Sequence, residues 1–299
     1  MIERNKKRYP LQVECVWKSS AQLGEGPVWS HKQRLLFWLD IKSKQVFRFH
    51  VDTGKQNCQN VESLISCLAL RRTGGLIAAT PQGVGVLNWS KGTVTIKSKY
   101  SEEPAGNRPN DGKCDSMGRF WIGSMDNDES KATGKLYRIF GDGRVVAVLD
   151  GVVICNGIGW SPDNLTFYFT DSVNRKIMAF DHEPESGFLQ NRRVFAQIKK
   201  EHGYPDGLAV DIEGGVWSAH WDGWRVTRYT PDGAVDRIIE MPVPRPTSCA
   251  FGGSDLLDLY ITSASIGLNK QQLAQAPLSG SLFRHRPGIV GLEVGEYSG

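Results

Sequence analysis

Glu25, Asn156 and Asp206 each stand immediately before a glycine, in Glu25-Gly26, Asn156-Gly157 and Asp206-Gly207. Two carboxylates and one amide oxygen are hard oxygen donors of the kind that hold calcium, magnesium or manganese. Three protein ligands also leave positions open for water or substrate, as a catalytic metal site requires. The plain alternative is local, because Asn-Gly and Asp-Gly are common turn formers. Two features favour a site. Gly-Glu-Gly-Pro at 24–27 is not a usual turn signal, and all three pairs fall at one position of an internal repeat. A second cluster is Asn107-Arg108-Pro109-Asn110. Arg108 offers a fork of donors and Asn110 both donor and acceptor, which suits an oxygen-rich, hydroxylated ligand. A surface arginine paired with an acid is the alternative there. His220 is read as a pocket-wall residue beside Trp221 and Trp224 rather than as a ligand or base. The chain has no GxSxG elbow, no HExxH and no Walker-type glycine loop, which speaks against serine-hydrolase, zincin and nucleotide-binding readings.

The elements that must position these residues are strands. Helical periodicity is nearly absent, and short β-rich runs such as LLFWLDI, FWIGSM, FYFTDS and VWSAHW alternate with turn clusters such as SPDN, PDG and IEGG. That pattern indicates a sandwich, barrel or propeller. The repeat decides among them. Six openings, GEGPVW, ISCLAL, PNDGKC, CNGIGW, PDGLAV and PTSCAF, place Glu25, Ser66, Asn110, Asn156, Asp206 and Thr247 in register, at separations of 41, 44, 46, 50 and 41. A period of about 40–50 residues with about four strands per unit is the signature of propeller blades. The expected fold is therefore all-β, a six-bladed β-propeller of four-stranded antiparallel blades, in one domain over residues 1–299. The last unit is expected to use LDLYITS, GSLFRHR and IVGLEV, with the N-terminal run LQVECVW adding its fourth strand and closing the ring. In a propeller the first strand of each blade lines the channel and the second runs back. The six opening residues should then ring one mouth, with Asp126, Asp128, His220 and Trp221 at its rim.

Composition sets bounds on partners. A 40% hydrophobic share is that of an ordinary globular chain. The net charge is +4, and the basic residues are spread out apart from Lys6-Lys7-Arg8, which argues against nucleic acid. No run of 18 apolar residues suggests a membrane span. The run MIERNKKRYPLQ lacks the apolar core of a secretory signal. The six cysteines form no CxxC pair and read as reduced thiols in a cytoplasmic protein.

The motifs LGEGPVW (23–29), RPNDGKCDSMGRFWIGSM (108–125), NGIGWSPDNLTFYFTDS (156–172) and YPDGLAVDIEGGVW (204–217) resemble the senescence-marker-protein/gluconolactonase (regucalcin) family over essentially the whole chain. The C-terminal part looks most like bacterial sugar lactonases of the gluconolactonase, xylonolactonase and arabinolactonase type. The resemblance implies a six-bladed propeller and one divalent metal held by Glu25, Asn156 and Asp206. Its identity is open among calcium, magnesium, manganese, zinc and ferrous iron. The resemblance also implies substrate contacts from Arg108, Asn110 and an acid after the second strand of blade three. The family's animal members carry glutamate three residues after the methionine of that strand. Here Asp128 stands there, one methylene shorter, which leaves the substrate preference open.

The expected activity is metal-dependent hydrolysis of a sugar lactone to its aldonic acid. Asp206 would be both ligand and general base, with a different base as the alternative. Arg108, Asn110 and Asp128 would orient the sugar, and Trp221 would form an apolar wall. Competing readings are a non-catalytic calcium-binding propeller, a protein-interaction propeller, and an esterase of the paraoxonase-like kind with two calcium sites.

Overall fold

The computed structural model describes residues 13–299. The Lys6-Lys7-Arg8 cluster and the rest of the run MIERNKKRYPLQ lie outside the described residues. Among those described, regular structure consists of 24 strands, one short 3₁₀ turn and one six-residue helix, Lys270–Gln275. The strands form six four-stranded antiparallel sheets, the blades of a six-bladed propeller. Among the described residues no helix is long and apolar enough to cross a membrane.

The inner strands of blades one to six are Gly24–Ser30, Cys67–Leu70, Asn107–Cys114, Cys155–Trp160, Tyr204–Val210 and Pro246–Gly252. They carry the six opening residues at or beside their N-terminal ends. The second strands, such as Phe120–Asp126 and Asp258–Ser263, are buried nearly throughout because neighbouring blades cover both their faces. That explains their apolar runs without alternation. Outer strands such as Val235–Glu240 are largely exposed.

The core lies between blades. Trp121 of blade three packs against Trp160 and Phe167 of blade four, with ring centroids 5.9 and 5.1 Å apart. Burying such side chains contributes on the order of 1.5–3 kcal/mol each. Polar anchors fix two blades from inside. The fully buried Asp211 carboxylate accepts from the Trp217 indole at 2.7 Å, from Arg228 Nε at 2.8 Å and from the Gly215 amide at 2.9 Å. Asp115 repeats the device with Trp121 at 2.7 Å and Arg119 Nε at 2.5 Å.

Closure uses both ends of the chain. Glu14–Trp17 pairs with Leu282–His285 as the outermost strand of blade six. An Arg284–Glu14 ion pair at 2.6 Å holds the seam. Trp17 then packs edge-on against Trp38 of blade one at 5.6 Å, and the closed ring leaves no gap between first and last blades. The expectation for IVGLEV is corrected. The blade is complete without it, because PTSCAF is its inner strand and LDLYITS and GSLFRHR its second and third. Residues beyond His285 leave the sheet and cross the other end of the channel. Leu292 N donates to Val210 O at 3.1 Å, Tyr297 N to Leu70 O at 2.7 Å and Ser298 N to Gly118 O at 3.0 Å.

Removing one partner of a buried, hydrogen-bonded ion pair strands the other charge. Asp211→Ala should therefore lower unfolding free energy by about 3–5 kcal/mol in denaturant titration. A change within experimental error would mean that the Arg228 network does not lock blade five.

Candidate metal centre and cavity

Five of the six inner strands carry a register irregularity at the opening residue, between Glu25 and Val28, Pro109 and Gly112, Asn156 and Ile158, Pro205 and Leu208, and Pro246 and Cys249. Such bulges insert an extra residue and re-aim a side chain. They turn Glu25, Asn110, Asn156 and Asp206 into a cavity of about 530 Å3 at one mouth, lined also by Arg108, Glu129 and Trp221.

The glycines that follow these residues are there for space more than for turning. A Cβ on Gly157 would lie 2.6 Å from Asp206 O in the next blade, and one on Gly112 would lie 2.7 Å from Cys67 Sγ. A Cβ on Gly207 would collide with the Ser248 side chain. Only Gly26, at φ +57°, is needed for its backbone conformation. The turn-former reading of Asn-Gly and Asp-Gly is therefore not what these pairs do in the fold.

Each donor is held from behind. Asn156 Nδ2 donates to Ser172 Oγ at 3.1 Å, and Ser172 Oγ donates to Pro205 O at 2.7 Å. This fixes the amide and leaves Asn156 Oδ1 buried with no hydrogen-bond partner. Asp206 Oδ1 is likewise buried and unpartnered. Glu25 Oε2 accepts from the Gly26 amide at 2.9 Å. Burial raises the Glu25 carboxyl well above the usual range, and the charge of Asp111 adds to it. Burial and then the charge of Glu25 raise Asp206 in the same direction. Two buried acids and an orphaned amide oxygen are a costly arrangement by themselves. A divalent cation would relieve all three at once, so the donor set fits a hard metal ion. Among the described residues no three His, Cys, Asp or Glu side chains converge as a metal cluster. The third donor of such a site would be the Asn156 amide.

Arg108 is buried, and its Nη1 donates to Asn110 Oδ1 and Pro109 O, both at 2.9 Å. Asn110 Nδ2 donates to Cys155 O of the next blade at 3.0 Å. Arg108 Nε has no partner. Trp221 lines the cavity, with the Arg245 guanidinium 4.7 Å from its ring centroid.

The rim after blade three differs from expectation. Asp128 and Glu129 are both exposed, but only Glu129 lines the cavity. The cause is the turn that begins at Asp126. Asp126 caps it, its carboxylate accepting from Ser130 N at 2.9 Å and Lys131 N at 2.8 Å. Glu129 adopts a left-handed φ of 55°, a conformation that costs a non-glycine residue energy. Asp126 is thus a turn anchor and not a wall of the cavity. Nothing in the spacing signalled Glu129, since the left-handed residue has no glycine or asparagine to mark it.

His220 is also set back. It is buried, does not line the cavity, and its Nδ1 lies 2.8 Å from His202 O. Burial pushes its pKa down to about 4, so the ring is neutral at physiological pH. Trp224 is 45% exposed and is not part of the wall. The two remaining openings serve other ends. Thr247 Oγ1 bonds to Gly24 O at 2.5 Å across the blade six to blade one junction, and Ser66 is buried outside the cavity.

Comparison with known proteins gives the geometry its relatives. The chain is 38% identical to regucalcin of Danio rerio over 293 residues, covering 97% of this chain and 99% of that protein. Its structure is similar to that of a calcium-binding protein, regucalcin, from Agrobacterium tumefaciens, with a TM-score of 0.89, 26% identity and 97% of both chains covered. It shares its fold with a gluconolactonase from Xanthomonas campestris, at a TM-score of 0.75 and 22% identity over 94% of this chain and 89% of that one. The model of the SMP-30/Gluconolactonase/LRE-like region matches residues 23–265. That match starts beside Glu25 and ends just past the second strand of the last blade, so the chain belongs to the SMP-30/gluconolactonase/LRE-like family.

Proposed function

We propose that this protein hydrolyses sugar lactones to aldonic acids, using one divalent metal ion held by Glu25, Asn156 and Asp206. The observation that carries the reading is the pair of buried, partnerless oxygens, Asn156 Oδ1 and Asp206 Oδ1, beside the buried Glu25 carboxyl. The family, whose description includes gluconolactonase, supports the reaction class.

When bound, a divalent cation polarises an ester carbonyl and makes water easier to deprotonate. The chain supplies the remainder. The Arg108 guanidinium and the Asn110 amide hold the sugar hydroxyls, and Glu129 accepts from them at the rim. Trp221 gives the ring an apolar face. The Asp206 carboxylate takes the proton of the attacking water. That proton returns to the ring oxygen as its bond to the carbonyl carbon breaks. The set-back, neutral His220 has no part in this. A second reading, a metal-binding protein without catalysis, draws on the calcium-binding description of the Agrobacterium tumefaciens relative.

Four outcomes test the reading. Acid release from a panel of gluconate, xylonate and arabinonate lactones should vanish on chelation and return with one divalent metal per chain. Asp206→Asn should cost the general-base contribution, about 10²–10⁴-fold in kcat/KM, and most of the metal affinity. Metal binding without any rate above background would favour the non-catalytic reading. Glu129→Gln should raise KM about tenfold, the cost of a charge-assisted hydrogen bond, while Asp128→Asn leaves it unchanged. The reverse result would restore Asp128.

The fourth outcome concerns pH. The metal-free folded chain holds protons on Glu25 and Asp206 that the unfolded chain has already lost. Their contribution to stability is full below the ordinary carboxylate pKa of about 4 and is lost as pH rises through the raised values. The metal-free melting temperature should fall over that window. Metal should abolish the fall, and its binding at neutral pH should release protons, measured by calorimetry in buffers of different ionisation enthalpy.

A further inference from the structure

Lys113 is a half-buried charge that the proposed chemistry leaves unused. It lies in the inner strand of blade three, just past the bulge that carries Asn110. Its Nζ donates to Leu208 O in blade five at 2.6 Å. Blades three and five are not neighbours, since blade four stands between them, so this bond spans the channel. Leu208 is the first residue back in register after the bulge that aims Asp206. Lys113 and Asp111 also line a second cavity, of about 320 Å3, together with Trp29, Trp160 and Leu292.

We infer that Lys113 is a positioning residue: its ammonium braces the bulge of blade five and so fixes the Asp206 carboxylate for metal binding. The inference rests on the reading of Asp206 as a metal donor. A lysine is suited to this place because Asp111, Glu25 and Asp206 put three carboxylates in the channel.

The sign of the effect separates bracing from mere charge. A bystander cation repels a metal ion, so Lys113→Met would then tighten metal binding. A brace does the opposite. We expect Lys113→Met to raise the Kd for Mn2+ by about 10–100-fold, the usual cost of losing a partner that orients a metal ligand. The measurement is calorimetric titration of metal-stripped full-length protein, below its melting temperature, with Lys113→Gln as a neutral polar variant should the Met variant not fold. Weakened binding in either folded variant supports the brace, and unchanged or tighter binding overturns it. Asp206→Asn is titrated alongside. If that substitution leaves Kd unchanged, the metal-donor reading itself fails; if it abolishes binding while Lys113→Met does not weaken it, only the brace fails.

Discussion

Three of the six inner strands pass so close to a neighbouring blade that a Cβ atom would not fit between them. That constraint sets the positions of Gly112, Gly157 and Gly207, each pressed against a neighbouring blade. It also explains why a polar residue so often precedes them. A strand that bulges there gives one residue to close packing and presents the one before it to the channel. The polar ring and the tight ring are thus one feature. Nothing in it depends on helices or long loops, and strands do the positioning with buried backbone on both sides.

The same chain treats its buried acids in two ways. Asp115 and Asp211 are saturated by an indole, a guanidinium and turn amides. They hold blades, and every oxygen has a partner. Asp206 and Asn156 keep an oxygen without one, although both are equally buried. Native folds rarely leave buried polar atoms unpaired. The contrast within one molecule marks the channel mouth as the place where a ligand is expected to complete the structure.

Much of this could be read from the sequence. The six-fold repeat of strand openings pointed to the blade number, and the common register of Glu25, Asn110, Asn156 and Asp206 pointed to the mouth they share, because both follow from local pattern. Two things escaped. Glu129 is aimed by a left-handed residue and a capped turn, neither of which has a sequence mark here. The C-terminal run IVGLEV has the composition of a strand, yet blade six already has four, so pairing positions and not propensity decided its fate. The role of Lys113 was equally hidden, since its acceptor is a backbone carbonyl 95 positions away.

The seam of blade six imposes an order of events on synthesis. Glu14–Trp17 has one sheet partner, Leu282–His285, so the first of the described strands must wait for the last. Blade one, which carries Glu25, leans on that seam through Trp17 and Trp38. On a ribosome that adds about 5–20 residues per second, the nascent chain holds blades four and five, with Asn156 and Asp206, well before blade one can be locked beside them. On the proposed reading, the donor ring is complete only once Leu282–His285 has been made, and a shorter nascent chain has no complete place for an ion.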